Sequence, residues 1–148
     1  MLHLHLKSKR PNVVCLDGDG LRAVFGGMHG HSPNERRELA MSYARLCQLL
    51  SGQDMDVICS TVSMFHDVRA WNRSNIPNYR EIYIKVPMET LIERDQKKLY
   101  SRALRGEVEN VMGMDLDFEE PINPDVVVNN DGSRTLDEVF SDLLNKIE

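Results

Sequence analysis

The sequence lacks the marks of a membrane protein, a disulfide-rich protein and a nucleic-acid-binding protein. No apolar run approaches the roughly 20 residues that a helix needs to cross a bilayer, so no membrane partner is predicted. The three cysteines, Cys15, Cys47 and Cys59, lie in apolar runs without CxxC spacing, which predicts buried free thiols. The net charge of -5 predicts no nucleic-acid partner. The N-terminus has no signal-peptide pattern, so we expect a cytoplasmic protein.

What the sequence does contain is a regular succession of strand-like and helix-like segments. Short runs rich in valine and isoleucine predict strands over residues 13–16, 57–59, 82–86 and 126–128. These runs do not alternate between apolar and polar residues, which is typical of strands buried on both faces of a parallel sheet. At 148 residues the chain is expected to form one domain.

Helical patterns lie between the predicted strands. One helix begins with Ser32 as N-cap, Pro33 in the first turn and Glu35 at the capping-box position. Another is predicted to start at Pro87 and to continue past Leu99, and the last one opens on a second capping box near residue 135. The alternation of strands and helices predicts an α/β fold, in which helices cover both faces of a parallel sheet.

Two carboxylates follow the first predicted strand in the segment LDGDGLR. Ligands of parallel sheets bind beyond the carboxyl ends of the strands, where Asp17 and Asp19 are expected. Carboxylates in that position can hold a Mg²⁺-bound water or accept a proton from an attacking hydroxyl. The same residues also fit a Gly-Asp turn that ends a strand and caps a helix.

Three further segments carry polar groups with two interpretations each. STVSMF places Ser63 just after the second strand, as a ligand-binding hydroxyl or as part of a helix-capping turn. ERDQKKLYSRALRGE is a basic helical stretch, which is either a solvated face or a phosphate-binding lid. His29 and His31, like His3 and His5, lack partners at zinc-ligand spacing, so no metal site is predicted there.

The motifs LDGDGLR, HSPNERRE, RDQKKLYSRALRGEVENVMGMD, FEEP and NPDVVVN follow one another in the order and spacing of adenylylsulfate kinases. From about Lys7 to its end, the chain resembles this family of P-loop kinases. They transfer the γ-phosphate of ATP to the ribose 3′-hydroxyl of adenylylsulfate. The resemblance implies a P-loop-kinase-like sheet, ATP and Mg²⁺ as cofactors and a nucleotide substrate, and it is compatible with a homodimer.

The resemblance also implies roles for the residues near the first two strands. Asp19 matches the family's aspartate beside the acceptor hydroxyl, as base or as ligand of a Mg²⁺-bound water, with Asp17 in support. Arg22 and Arg36 match arginines that hold the anionic bridge of the substrate. Ser63 matches the serine that follows the next strand. Such groups suit phosphoryl transfer, which depends on positioning and charge neutralisation.

On the later part of the chain the resemblance implies a nucleotide-binding helix and lid. Arg94 is expected to bind the cofactor ATP, and Lys97 and Leu99 the substrate. Residues 97–105 match the family's lid segment, in which the basic side chains approach the phosphates.

The sequence departs from the family most severely in its phosphate loop. The family's first strand and GxxGxGK(S/T) loop have no counterpart here, and that strand lies centrally in the family's sheet, between the predicted strands 57–59 and 82–86.

The segment LHLHL alternates as a strand would, but too few residues separate it from Val13 for a parallel crossover. Residues 1–10 are therefore expected to be a helix remnant or a disordered arm. We expect residues 1–148 to form one N-terminally incomplete domain. It is either the product of a truncated coding sequence or an inactive remnant that serves as a binding module.

Two further departures concern the acceptor. Leu39 replaces an asparagine of the family, and Val111 replaces a phenylalanine that stacks on the acceptor adenine. Some relatives from capsule-modification clusters phosphorylate cytidine diphosphoramidate at its ribose, and its smaller base would fit these substitutions. Neutral drift at both positions is the alternative.

Overall fold

The computed structural model describes residues 1–25, 30–62 and 64–147, which cluster into two compact units, Met1–Tyr79 and Arg80–Glu148. Each unit contains a two-stranded parallel sheet with packed helices, so the predicted α/β class with parallel strands is confirmed. No helix within the described part of the chain has both the length and the apolar character needed to span a membrane.

The first unit is built around the pair formed by strands β1 (Val13–Asp17) and β2 (Asp56–Ser60). β1 pairs in parallel with β2, with Val13 opposite Asp56 and Asp17 opposite Ser60. The segment with the LHLHL pattern is a helix, which agrees with one of its two predicted states. The elements of this unit are α1 (Leu2–Lys9), β1 (Val13–Asp17), α2 (Gly18–Val24), α3 (Pro33–Ser51), β2 (Asp56–Ser60) and α4 (His66–Asn75).

α3 begins as its sequence predicts and supplies most of the core of the first unit. The backbone N–H of Ser32 donates to the Glu35 carboxylate at 3.1 Å, and the Ser32 hydroxyl accepts from the Glu35 N–H at 3.4 Å. Both halves of the predicted capping box are therefore present. Leu39 and Tyr43 of the apolar stripe are buried against Leu21 of α2, so the helix attaches α2 to the unit.

The second unit contains the strands β3 (Ile82–Lys85) and β4 (Val126–Asn129). They pair in parallel, with Ile82 opposite Val126 and Lys85 opposite Asn129. The predicted capping box of the last helix is present, because the Thr135 N–H donates to the Glu138 carboxylate at 2.7 Å. The elements are β3 (Ile82–Lys85), α5 (Met88–Arg94), α6 (Leu99–Leu104), β4 (Val126–Asn129) and α7 (Leu136–Ile147).

The prediction of one helix from Pro87 past Leu99 is wrong. α5 ends at Arg94, and the left-handed φ values of 33° at Asp95, 61° at Lys97 and 55° at Lys98 interrupt the chain before α6. The interruption has a local cause, because the Asp95 carboxylate accepts from the backbone N–H groups of Tyr100 and Ser101 at 2.9 and 3.0 Å. It thereby satisfies donors at the start of a new helix. The basic residues on either side therefore do not share one helix face.

The left-handed conformation of Lys98 gives a stability prediction. A residue with a Cβ pays about 1–2 kcal/mol in this region, whereas glycine adopts it freely and loses about 0.5–1 kcal/mol through chain entropy. We expect Lys98→Gly to raise the free energy of unfolding by up to about 1 kcal/mol, measured by denaturant titration. The matched control is Lys7→Gly in the last turn of α1, where the right-handed conformation gives glycine no advantage and the change should cost up to about 1 kcal/mol. Equal losses in both variants would contradict the prediction.

The prediction that the strands and thiols are buried holds only in part. Val13 of β1 is buried, but Cys15 further along the same strand is exposed, as is Cys59 of β2. Cys47 on α3 is buried as predicted. In β4, buried and exposed residues alternate, which is typical of a strand with one covered face. The carboxyl-terminal ends of β1 and β2 are thus the open part of the first sheet.

The strand edges differ in how their backbone groups are satisfied. On the outer edge of β4, the Val127 carbonyl accepts from Lys146 Nζ at 2.9 Å and the Asn129 carbonyl accepts from Arg134 Nη2 at 2.6 Å. These side chains close that edge to further strands. The backbone N–H and C=O groups of Ile82 and Ile84 in β3 point away from β4. No described residue forms a hydrogen bond with them.

Candidate functional site

Asp17 and Asp19 lie at the carboxyl end of β1, where the sequence analysis expected them. The Asp17 carboxylate accepts from the Gly20 N–H at 2.9 Å and so caps α2, which confirms the capping interpretation for this residue. A Cβ on Gly20 would lie 2.9 Å from the Asp17 carboxylate, so a larger residue there would displace the capping side chain. Asp19 is exposed in the first turn of α2, where a helix N-terminus favours negative charge.

The turn that carries these carboxylates passes close to the end of β2. Asp17 is the register partner of Ser60, and a Cβ on Gly18 would lie 3.8 Å from the Ser60 carbonyl and from the Thr61 methyl. The structure thus places the carboxylates beside the hydroxyl-bearing segment that follows β2. Ser63, the predicted hydroxyl of that segment, lies outside the described residues.

Arg22 and Arg36 converge on the backbone that precedes α3. Arg22 Nη1 donates to the Gly30 carbonyl at 3.4 Å, and Arg36 Nε donates to the His31 carbonyl at 2.9 Å. The two arginines predicted to hold an anionic bridge therefore lie against adjacent residues, although they come from different helices. Asp17, Asp19, Arg22 and Arg36 are the residues of the first unit for which the resemblance implies contact with the acceptor, and they are called the acceptor cluster below.

His31 belongs to the surroundings of this cluster, although the sequence analysis considered it only as a zinc ligand. Desolvation lowers its pKa, and the charges of Arg22 and Arg36 lower it further, against the opposing effect of Glu35. Its imidazole is therefore neutral at pH 7. The sequence signal that could have placed His31 in this site is its position directly before the N-cap Ser32, between Arg22 and Arg36 along the chain.

The core beneath the cluster fixes the position of α2. Leu21 packs on Leu39 and Tyr43, and the Tyr43 ring lies 5.8 Å from the ring of Phe25 at the end of α2. Leu39, which replaces the family's asparagine, is only 3% exposed. Its contribution in this structure is to the packing of α3 against α2, the helix that carries Asp19 and Arg22.

Arg94 lies at the carboxyl end of the sheet in the second unit. Its Nη2 donates to Asn130 Oδ1 at 3.1 Å, and Asn130 directly follows β4. The Thr90 hydroxyl donates to the Asp131 carbonyl at 3.0 Å, which attaches the same helix to the same loop. The predicted cofactor-binding arginine is therefore held by the loop after β4, which is the expected ligand edge of a parallel strand.

Lys97 and Leu99 flank the start of α6, and the lid arginines lie near its end. Leu99 is 41% exposed and Lys97 is also exposed. Arg105 Nε lies 2.6 Å from the Glu107 carboxylate and Arg102 Nε lies 3.5 Å from it. The hydrogen bond from Arg105 lowers the pKa of Glu107. In this structure the two arginines form exposed ion pairs within their own segment, which agrees with the interpretation of a solvated face.

The long irregular segment between α6 and β4 is held by a hydrogen bond within itself and by contacts to β3. The Val111 N–H donates to the Asp115 carboxylate at 2.6 Å, and the Val111 side chain is only 3% exposed. Glu120 of the FEEP motif accepts from the Tyr83 hydroxyl at 3.0 Å and pairs with Lys85 Nζ at 2.8 Å. Val111 therefore contributes to a local core, and β3 holds the end of the loop.

The metal-ligating potential of the described residues is limited to dispersed carboxylates. Within residues 1–25, 30–62 and 64–147, no three histidine, cysteine, aspartate or glutamate side chains are grouped as metal ligands. Asp17 and Asp19 offer oxygen atoms only, which suits a hard cation that keeps most of its water ligands.

Comparisons with known proteins identify close relatives. The model of the adenylylsulphate kinase family matches residues 1–129. The chain is 39% identical over 146 residues to the cytidine diphosphoramidate kinase of Campylobacter jejuni, which covers 99% of this chain and 85% of that protein. It is 38% identical over 130 residues to a probable adenylyl-sulfate kinase of Archaeoglobus fulgidus, with 88% and 84% covered.

A solved structure has the same fold. The structure of the Mycobacterium tuberculosis APS kinase CysC, in complex with AMPPNP and APS, superposes with a TM-score of 0.85. It is 25% identical to this chain, and the match covers 99% of this chain and 87% of that chain.

Proposed function

Because this chain belongs to the adenylylsulphate kinase family of nucleotide kinases, we propose that its site serves transfer of the ATP γ-phosphate to a ribose hydroxyl of a nucleotide. The acceptor cluster supports the proposal. Arg22 and Arg36 lie against adjacent residues and would neutralise the anionic bridge of the acceptor. Asp19 would accept the proton of the attacking hydroxyl, and Asp17 holds the turn that carries it.

The cofactor part of the proposal rests on different residues. AMPPNP, which is bound in the Mycobacterium tuberculosis kinase, is an analogue of ATP, and Arg94 is the residue that we propose contacts this nucleotide here. The carboxylate oxygens of Asp17 and Asp19 fit Mg²⁺ held through its water ligands, and this ion would supply charge neutralisation between the phosphates. The sequence contains no GxxGxGK(S/T) loop, which is the segment that binds the β- and γ-phosphates in this family.

For the acceptor we propose cytidine diphosphoramidate. The observation that carries this choice is the 39% identity to the Campylobacter jejuni kinase over 99% of this chain. The sequence supports this choice, because Leu39 and Val111 provide neither an amide nor an aromatic face for adenine. Adenylylsulfate is the second candidate, favoured by the Archaeoglobus fulgidus relative and by the APS-bound structure.

The two acceptors can be separated by direct competition. In a chain supplied with an upstream segment that carries the family's phosphate loop, we expect kcat/KM for cytidine diphosphoramidate to exceed that for adenylylsulfate by about tenfold or more. The physical reason is that an adenine without a stacking partner loses binding energy in the transition state. The Campylobacter jejuni kinase, assayed with both nucleotides, is the control. A preference for adenylylsulfate would refute the acceptor assignment and leave the kinase assignment standing.

A further inference from the structure

The sheet of the second unit has one closed edge and one open edge. On the outer edge of β4, side-chain donors from Lys146 and Arg134 occupy the outward carbonyls. On the outer edge of β3, the outward N–H and C=O groups belong to Ile82 and Ile84, and no described residue forms a hydrogen bond with them. The Ile84 side chain is 44% exposed, so solvent reaches this edge. An edge in this state is a template for pairing with another strand.

The side chains along this edge are self-complementary about Tyr83. Glu81 and Lys85 carry opposite charges and lie two positions before and two positions after Tyr83, so all three share one face of the strand. The two isoleucines between them lie on the other face. Glu81 precedes β3, but its carbonyl accepts from the Val126 N–H at 3.1 Å, so the pairing with β4 extends to this residue.

Two copies of β3, placed antiparallel about a two-fold axis at Tyr83, bring these groups into register. Ile82 then lies opposite Ile84 of the second copy, and their outward N–H and C=O groups exchange hydrogen bonds in both directions. Lys85 lies opposite Glu81 of the second copy at a non-hydrogen-bonded pair, where facing side chains come closest. Because each copy offers the same surface to the other, the arrangement is complete after two copies.

The open edge of β2 lacks this complementarity. The two-fold axis that aligns its outward backbone groups lies at Ile58 and places Asp56 opposite Ser60 of the second copy. No opposite charges meet in that arrangement, and the Asp56 carboxylate is already paired with Arg10 at 3.0 Å. The side chains therefore favour β3 over β2 as the edge that pairs with itself.

We propose that a second copy of this chain docks on the open edge of β3, so that β3 and β4 of both copies form one continuous sheet. The contact between Lys85 and Glu81 of the second copy sets the register, because a shift by one residue would direct the backbone groups away from each other. Lys85 already pairs with Glu120 at 2.8 Å, and its ammonium has three donors, so it binds a second carboxylate without losing the first. The proposal is independent of the kinase assignment.

Charge reversal tests the proposed contact on the chain as it exists. Sedimentation velocity over a concentration series of the unaltered chain should show a monomer–dimer equilibrium. Lys85→Glu and Glu81→Lys each place like charges opposite one another at both symmetric positions, so each should raise the dimer dissociation constant at least about tenfold. An equimolar mixture of these two variants restores opposite charges at both positions. It should therefore form a heterodimer with nearly the affinity of the unaltered chain.

Two controls separate the dimer contact from effects within one copy. Glu120→Gln removes the ion pair of Lys85 inside the chain and should leave dimerisation unchanged. Ile84→Pro removes an outward N–H, a change that edge strands tolerate, and should abolish the dimer. Val127→Pro makes the same change on the closed edge of β4 and should not affect the dimer. Thermal unfolding of each variant shows that it is folded.

The outcomes that would overturn the proposal are distinct. One is a chain that stays monomeric over the whole concentration series. Another is association that neither charge variant nor Ile84→Pro weakens, which would assign it to the edges of β1 or β2. The third is a mixture of Lys85→Glu and Glu81→Lys that associates no better than either variant alone.

Discussion

The 148-residue chain by itself is expected to give no ATP-dependent phosphorylation of cytidine diphosphoramidate or adenylylsulfate. In the family's phosphate loop, backbone N–H groups and a lysine hold the β- and γ-phosphates, and a serine or threonine binds Mg²⁺. The printed sequence has no such loop. Phosphoryl transfer depends on positioning, so a γ-phosphate that is not held in line with the acceptor hydroxyl does not react at a measurable rate.

The same chain is expected to be marginally stable. Both sheets have outer edges whose backbone groups point away from the paired strand, among them those of Val57 and Cys59 in β2 and of Ile82 and Ile84 in β3. No described residue hydrogen-bonds to these groups. Each polar group that becomes buried without a partner costs about 1–3 kcal/mol, and an open edge can pair with another chain. We therefore expect aggregation or a strand borrowed from a second molecule.

Both expectations are tested with one pair of proteins. The chain is expressed alone and behind an upstream segment that carries the family's GxxGxGK(S/T) loop, and each is assayed for ATP turnover with both acceptors. Size-exclusion chromatography and thermal unfolding report the oligomeric state and the cooperativity. The control for the longer protein is the same fusion with the loop lysine replaced by alanine. A monomeric, cooperatively unfolding 148-residue chain that phosphorylates either acceptor would refute the prediction.

Asp19→Asn is expected to lower kcat by about 10²–10⁴-fold in the loop-bearing protein. The asparagine side chain keeps the size of aspartate, but it neither accepts a proton nor carries the charge that holds a Mg²⁺-bound water. The lost charge in the first turn of α2 changes helix stability by only about 0.3–1 kcal/mol, which is too little to unfold the site. The measurement is kcat at saturating ATP and acceptor, together with the thermal unfolding of both proteins.

A matched variant separates the catalytic effect from the helix effect. Asp137 lies in the first turn of α7, so Asp137→Asn removes the same charge from the same position of another helix. It should leave kcat unchanged. Asp17→Asn should have a smaller effect than Asp19→Asn, because asparagine also caps helices well and preserves the bond to Gly20. Near-normal turnover of Asp19→Asn would remove this residue from the mechanism.

The parts of the molecule that depend on neighbours along the chain could be predicted from its sequence. Apolar runs of the right length became strands, and the capping boxes at Ser32 and Thr135 start their helices because each involves residues only three positions apart. The family was predictable for a related reason, since its motifs are short segments in a fixed order. Asp17 and Asp19 reached the carboxyl end of β1 because they directly follow that strand.

What depends on distant segments was decided only by packing. The apolar pattern after Pro87 does not show that the Asp95 carboxylate starts a new helix at Leu99. Nor does the sequence show that Arg22 and Arg36 converge before α3. A helical or strand period specifies which residues share a face, but the partner of that face depends on how the elements pack. Burial, contacts between separate elements and the pKa values that follow from them are therefore properties of the tertiary structure.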